Sequence, residues 1–389
     1  YVDFTERQTR LMKGPARQEL IDHWRKRLAG IPSCINLPTD RPRPPIQDYH
    51  GAHVAFDLPT PLVEGIDALA RQEGTTPFAV LLSAFATLLN RYTGDDQIVI
   101  GTPVANRHEV EVEPLVGFFT NTLVLRPDLS GDPDFRTLVS RVGAETREAL
   151  AHQDLPFEIL VEELRPDRDT AHSPVFQVML IYWDGDDDAT WSLPGCSLVT
   201  MPGDSRTAKF DLTLSLTRTA QGIRARLEYA SSIFDEATVQ RFAGQYTTLL
   251  RHALATPTAA VRQLDVLPAA ESQQLLADWA PGPAAPASGL TVSQAIEAQV
   301  RRTPSAVAVL DGRQEWTYDT LDKRAAALAA RLAGHGVTPG SVVGVYLDRS
   351  VDTLTALLGI LKAGAAYLPL DPAYPAERLA FMREDSGAV

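Results

Sequence analysis

The sequence predicts an α/β protein built in two parts, and three observations carry that reading. Residues 209–217 alternate cleanly: Phe210, Leu212, Leu214 and Leu216 take one face, while Asp211, Thr213, Ser215 and Thr217 take the other. Ile223, Ala225, Leu227 and Tyr229 repeat the period after Gly222, which predicts an antiparallel hairpin with one wet face. Amphipathic helical segments lie ahead of this pair and after it. A Pro/Gly-rich stretch at 279–289 then interrupts the chain, and beyond it strand and helix patterns alternate.

The helices announce themselves through their caps. Thr60-Pro61 precedes Leu62, Ile66, Leu69 and Ala70, and Gly74 closes the segment. Thr76-Pro77 precedes Val80, Leu81, Ala84, Phe85, Leu88 and Leu89. Asp132-Pro133 precedes Phe135, Leu138, Val139, Val142 and Ala149. In each, a side-chain oxygen can accept from a free helix N–H, and proline suits the first position. The spacing leaves one apolar face. A fourth helix starts after Asp235, with Val239, Phe242, Tyr246, Leu249 and Leu250 on one side. Between them, 97–104, 122–126 and 176–183 read as buried or half-buried strands, which makes an α/β sandwich. The stretch 272–279 reads as a helix leading into a semi-extended linker.

After the linker, 307–310 and 341–347 read as strands. Thr317 or Asp319 caps an Ala-rich helix ending at Gly334. Ser350 caps a helix over 351–362, and Gly364 leads into a strand at 366–370. Repeated strand–helix units predict a parallel sheet.

Composition narrows the function. A chain of 389 residues exceeds one ordinary core, so more than one domain is expected. The formal charge of −13 argues against nucleic-acid or anionic-membrane partners, which need a positive face. No apolar run reaches the length of a membrane span, and the run at 354–361 stops at Lys362. Two cysteines, Cys34 and Cys196, lack metal spacing and cannot staple a chain of this size, which favours a reducing cytoplasm. The acidic run Asp184-Gly-Asp-Asp-Asp188 lacks the downstream glutamate of a calcium loop and reads as a solvated loop. No metal site is expected.

Motifs in the first part are Tyr1-Val-Asp-Phe-Thr-Glu-Arg-Gln8, Ile100-Gly-Thr-Pro-Val-Ala-Asn-Arg107, Val116-Gly-Phe-Phe-Thr-Asn-Thr122 and His152-Gln-Asp-Leu-Pro-Phe-Glu158. The second part carries Trp316-Thr-Tyr-Asp-Thr-Leu321 and Leu361-Lys-Ala-Gly-Ala-Ala-Tyr-Leu-Pro-Leu-Asp371. The first set resembles the later part of a condensation domain of a nonribosomal peptide synthetase. The second resembles the opening of the adenylation domain that follows it. The resemblance implies a chloramphenicol-acetyltransferase-like α/β lobe over residues 1–267, with 1–8 crossing from a preceding lobe. A linker over 268–290 and the first part of an acyl-CoA-synthetase-like adenylating domain over 291–389 would follow. Both ends read as cuts in a longer polypeptide.

Amide formation between thioesters needs the amine positioned, its proton managed and the oxyanion stabilised. The family centres this on an HHxxxDG motif, and the eight histidines here include no His-His pair. No catalytic residue is therefore assigned. The resemblance implies that Arg107 pairs with the aspartate of that motif through a charge-assisted contact; the competing reading is a solvated loop arginine. Asn121 is a channel-lining candidate, against the plainer reading of a structural amide in a turn or bulge. Ser173 stands where the family frequently has asparagine, and its hydroxyl can still donate one hydrogen bond. His152, followed by Pro156, reads as fixing a loop, not as a base oriented by Asp154.

No nucleotide cofactor is assigned to these residues either. The lysine between Gly359 and Gly364 lacks phosphate-loop spacing, and Lys362, Gly364 and Tyr367 match an early core motif of the family, which the resemblance implies shapes the sheet more than it touches nucleotide. The parent would use phosphopantetheine on carrier domains, with ATP and magnesium for adenylation. Its partners would be upstream and downstream carrier domains. Two rival functions are a non-catalytic docking segment that binds carriers and a stand-alone acyltransferase of the same fold.

Overall fold

The computed structural model describes residues 1–389 except 108, 165–168, 186–205, 281, 283–288 and 313. The chain divides into two compact units, Tyr1–Ala280 and Pro281–Val389. Cys196, Asp186, Asp187, Asp188 and most of the Pro/Gly stretch lie outside the described residues.

The first unit is built on a six-stranded mixed sheet. Its strands are β1 (Gly51–Pro59), β2 (Ile100–Val104), β3 (Asn121–Leu125), β4 (Val178–Trp183), β5 (Leu212–Thr219) and β6 (Gly222–Ala230). They lie in the order β1-β6-β5-β4-β2-β3. β4 runs parallel to β5 and β2, and the other pairs are antiparallel. The expected hairpin is β5–β6, turning at Gly222, whose φ of +140° few other residues tolerate. Its wet face is drier than expected: Thr213 is buried, and Ser215 and Thr217 are half-buried. The reason is position, since β5 sits between two strands inside the sheet and not at an edge.

Around the sheet lie α1 (Val2–Lys13), α2 (Ala16–Arg27), α3 (Thr60–Gln72), α4 (Pro77–Thr93), α5 (Phe135–Ala151), α6 (Phe157–Leu164) and α7 (Glu236–Ala255). α4 is the central helix, with Ala79 through Asn90 buried and α3, α5 and α7 packed against it. It is apolar nearly all round, as a helix enclosed on every side must be. Its Ser83 and Thr87 hydroxyls donate to the carbonyls of Ala79 (2.7 Å) and Ser83 (2.8 Å), which satisfies them in the core. Each fully buried Leu, Ile or Phe in this core contributes roughly 1.5–3 kcal/mol of transfer free energy.

Thr76 caps α4, accepting from Ala79 N at 3.3 Å. Two other expected caps differ. Asp134, not Asp132, caps α5, accepting from Thr137 N at 2.7 Å. Asp132 instead holds a left-handed turn (φ +50°) and accepts from Arg262 N. Thr60 donates to Gln221 O at 2.9 Å and leaves the start of α3 uncapped by a side chain. Asp235 makes no capping bond, because its carboxylate pairs with Arg41. After α7 come the short α8 (Ala269–Gln273) and a π-helical turn, Gln274–Trp279, where one regular helix was expected.

The second unit starts with α9 (Val292–Arg302), opened by a reciprocal capping box between Thr291 and Gln294. It continues with β7 (Val307–Leu310), β8 (Glu315–Thr317), α10 (Tyr318–Gly334), β9 (Val342–Val345), α11 (Val351–Lys362), β10 (Ala366–Pro369) and α12 (Ala376–Ser386). Thr317 and Ser350 cap α10 and α11. β9 and β10 pair in parallel across α11, as the alternation predicts. β7 instead pairs antiparallel with the three-residue β8, a strand too short to show a period. Trp316, Leu321, Ala325, Val351 and Leu358 form one core cluster.

Candidate functional site

Four stretches far apart in sequence meet in the first unit around the loops at the β2–β3 end of the sheet. Phe4, the buried residue of α1, packs its ring 4.7 Å from Phe119. Tyr1 meets Phe119 edge-on at 5.3 Å and donates its hydroxyl to Phe118 O at 3.1 Å. Gly117 permits this approach, because a Cβ there would lie 2.4 Å from the Tyr1 ring. The motif at 1–8 is thereby fastened to the motif at 116–122. Arg7 adds an ion pair to Glu109.

Arg107 leaves the end of β2 and folds back over its own loop. Its Nη1 donates to the carbonyls of Val112, Glu113 (3.0 Å) and Leu115 (2.9 Å). The guanidinium lies 4.1 Å from the Phe119 ring centre, within cation–π range. Here the half-buried side chain staples its own loop to Phe119, and among the described residues its partners are these carbonyls and that ring. The preceding Asn106 is buried at φ +53°, a left-handed position that asparagine tolerates better than most residues.

Asn121 opens β3, is 8% exposed, and uses all four of its hydrogen-bonding positions. Its Nδ2 donates to Gln153 O (2.7 Å) and Leu155 O (2.8 Å). Its Oδ1 accepts from Thr122 N (2.8 Å) and Phe157 N (3.0 Å). One amide thus joins β3 to the turn between α5 and α6, which carries the motif at 152–158. His152 ends α5 and sets its Nδ1 2.8 Å from Glu148 O.

Phe4, Arg7, Gln8, Leu11, Asn106 and Asp154 enclose a cavity of about 330 Å³. Three of the four motifs contribute to it. Its described lining holds a guanidinium, two amides and a carboxylate but no histidine, so it can hold and orient a polar group. Behind β3, burial pushes the Glu145 carboxyl above its ordinary range, against the opposing pull of Arg126 N–H and Arg27.

Ser173 stands apart from this cluster. It precedes β4, which runs parallel to β2, so it lies at the opposite end of the sheet from Arg107 and Asn121. Its hydroxyl donates to Lys209 O at 3.1 Å. Beside it Gln177, a residue sequence reasoning passed over, is 2% exposed. It accepts from Ile35 N and donates to Ser33 O and Ser173 O. Arg43 pairs bidentately with the buried Asp211 in the same region. No signal in the sequence marked Gln177 or Arg43, because a buried amide or ion pair depends on neighbours distant in sequence.

In the second unit, Lys362 is tied to Glu297 and to Asp322 (2.9 Å), with its side chain 11% exposed. Burial alone would depress its pKa, but the two carboxylates together raise it. Gly359 packs against α10, where a Cβ would lie 2.9 Å from Leu328. These residues hold helices together and do not fit a triphosphate cradle. Among the described residues no group of three or more His, Cys, Asp or Glu side chains could hold a metal ion.

Residues 1–276 match the family model described as the condensation domain, and residues 296–389 match that of the AMP-binding enzyme. The chain belongs to the condensation-domain family and carries the start of an AMP-binding domain behind it. That order is the one found in nonribosomal peptide synthetases, a class of modular enzymes. The chain is 41% identical over 393 residues to chondramide synthase cmdD of Chondromyces crocatus, covering 100% of this chain and 10% of that protein. It is 42% identical over 396 residues to phosphinothricin tripeptide synthetase PhsB of Streptomyces viridochromogenes, covering 100% of this chain and 33% of that one. Among solved structures it is similar to a holo four-domain nonribosomal peptide synthetase bound to AMP and glycine. The TM-score is 0.71 at 27% identity, over 95% of this chain and 29% of that one. The X-domain from teicoplanin biosynthesis gives a TM-score of 0.63 at 31% identity, over 68% and 62% of the two chains. The chain thus spans a third or less of the length of the two curated relatives named.

Proposed function

We propose that this chain serves a synthetase module at the point where amide formation hands over to amino-acid activation. The parent condenses an acyl or peptidyl thioester with an aminoacyl thioester, each on the phosphopantetheine arm of a carrier domain. Its adenylation part activates an amino acid with ATP and magnesium. Carrier domains upstream and downstream are the partners, and the cytoplasm, with its reducing conditions and ATP, is the setting. The limits 1–267, 268–290 and 291–389 divide the two working parts and their linker.

The observation that carries this reading is the meeting of the four motifs in one place, three of them lining one cavity while the fourth packs Phe119 against Phe4 and Tyr1. Arg107 and Asn121 act there as positioning residues. Arg107 sets the loop that would face the aspartate of an HHxxxDG motif, and Asn121 sets the turn that brings in Asp154. Ser173 steadies the far end of the sheet. The 389 residues contain neither a double histidine nor a glycine-rich Ser/Thr loop, so the chain by itself turns over neither reaction.

A condensation assay with both carriers loaded, run beside an ATP–pyrophosphate exchange assay, tests this. The chain alone should give background in both. A longer protein supplying the double-histidine motif and the glycine-rich loop should give turnover in both. Turnover by the 389 residues alone, or none by the longer protein, overturns the reading.

A further inference from the structure

Two histidines that the candidate site does not use lie face to face. His23 on α2 and His152 at the end of α5 stack with ring centres 3.5 Å apart and planes 2° from parallel. Trp24 packs edge-on against His23 at 5.5 Å and donates its indole N–H to His152 O at 3.1 Å. The His152 Nδ1 faces a carbonyl, which can only accept, so that nitrogen carries the neutral ring's proton and Nε2 is the basic site. The His23 Nε2 is buried without a hydrogen-bond partner among the described residues.

The charged groups around the stack come from both helices. α2 supplies Lys26 and Arg27, and α5 supplies Glu148, whose carboxylate lies 3.9 Å from His23 Nδ1. Arg27 is held by Glu145 (2.8 Å) and Glu148 (2.9 Å). Glu148 is thus the carboxylate facing the His23 ring, and it is shared with Arg27, so a doubly protonated stack is repulsive. Burial foremost, then His152, Arg27 and Lys26, holds the His23 pKa below its ordinary value, with Glu148 pulling the other way.

The stack adjoins the candidate site directly. The next residues, Gln153 and Leu155, give their carbonyls to Asn121, and Asp154 between them lines the cavity. We propose that the His23–His152 stack is a pH-sensitive latch. When neutral it clamps α2 to the end of α5 and fixes the 153–157 turn; when protonated it opens and frees Asp154 from its place at the cavity. Because the folded state holds the His23 pKa below the ordinary histidine value of about 6.5, closure is complete above that pH and is lost as the pH falls through the lower folded value.

The test uses the full chain, with the Trp24 indole N–H followed by NMR from about pH 8 to about pH 5. The latch predicts one transition, with its midpoint below the ordinary histidine value, in which the indole resonance loses its hydrogen-bonded shift. His23→Phe keeps an aromatic ring and should abolish the transition. Glu148→Gln should move the midpoint to lower pH, because it removes the carboxylate that favours the cation; it carries the test if His23→Phe does not fold. An indole resonance that stays fixed while the His23 ring titrates overturns the latch. So does an unchanged transition in His23→Phe, or an unmoved midpoint in Glu148→Gln.

Discussion

Replacing Asn121 with alanine should cost the first unit about 3 kcal/mol. The side chain makes three long-range contacts, to Gln153 O, Leu155 O and Phe157 N, at 2.7, 2.8 and 3.0 Å. Alanine removes all three, together with the local bond from Thr122 N, and takes the amide away from two carbonyls and two N–H groups. A typical intramolecular hydrogen bond contributes about 1 kcal/mol net, and more when the stranded group stays buried. The Leu155 contact is fully buried, so the loss should not fall below the simple count. For a unit of this size each kcal/mol lowers Tm by roughly 2 °C, so a fall of about 6 °C or more is expected by calorimetry. Asn121→Asp keeps the acceptor atoms but sets a carboxylate against two carbonyl oxygens, and should be at least as damaging. A loss below about 0.5 kcal/mol for the alanine variant would refute the argument, since water would then be replacing the amide.

Three further substitutions probe other parts of the fold. Gly101→Ala places a Cβ 2.2 Å from the Phe176 ring, and denaturant unfolding should show about 1–3 kcal/mol of destabilisation from overpacking. Arg43→Met strands the 2%-exposed Asp211 carboxylate and should cost about 3–5 kcal/mol in the same assay, while Arg43→Met with Asp211→Leu should recover most of it. Asp134→Ala should cost about 1 kcal/mol through loss of the α5 cap. The Thr137 N–H foremost holds the Asp134 pKa below its ordinary value. The cap's contribution is therefore present above about pH 4 and disappears as the pH falls further, so the two melting curves should converge in acid.

Local chemistry was legible where it decided the outcome alone. Thr76-Pro77 and Ser350 cap their helices as read, because a cap needs only a hydroxyl and the backbone beside it. The period-two runs flanking Gly222 form the hairpin for the same reason. Asp132 misled because two aspartates flank Pro133, and only tertiary contact with Arg262 N assigns each its place. β1 went unread: His53 and Asp57 stand among Ala52, Val54, Phe56 and Leu58, and Pro59 breaks the run, so the segment resembles a loop until β6 lies beside it. The site was legible as motifs but not as geometry. Nothing in the sequence says that Phe119 receives Tyr1, Phe4 and Arg107 together, or that Asn121 reaches across to Leu155.

One of the sheet's two edge strands has a consequence for how the chain is made. β1 is hydrogen-bonded within the sheet to β6 alone, with Gly51 opposite Ala230 and Pro59 opposite Gly222. A ribosome releases residue 59 long before residue 230, so β1 must wait without a partner through most of the synthesis of this unit. Over that interval its backbone offers a template to any other nascent strand. The polar and proline residues that hid β1 from a sequence reading are the features that make such mispairing less favourable while the chain grows.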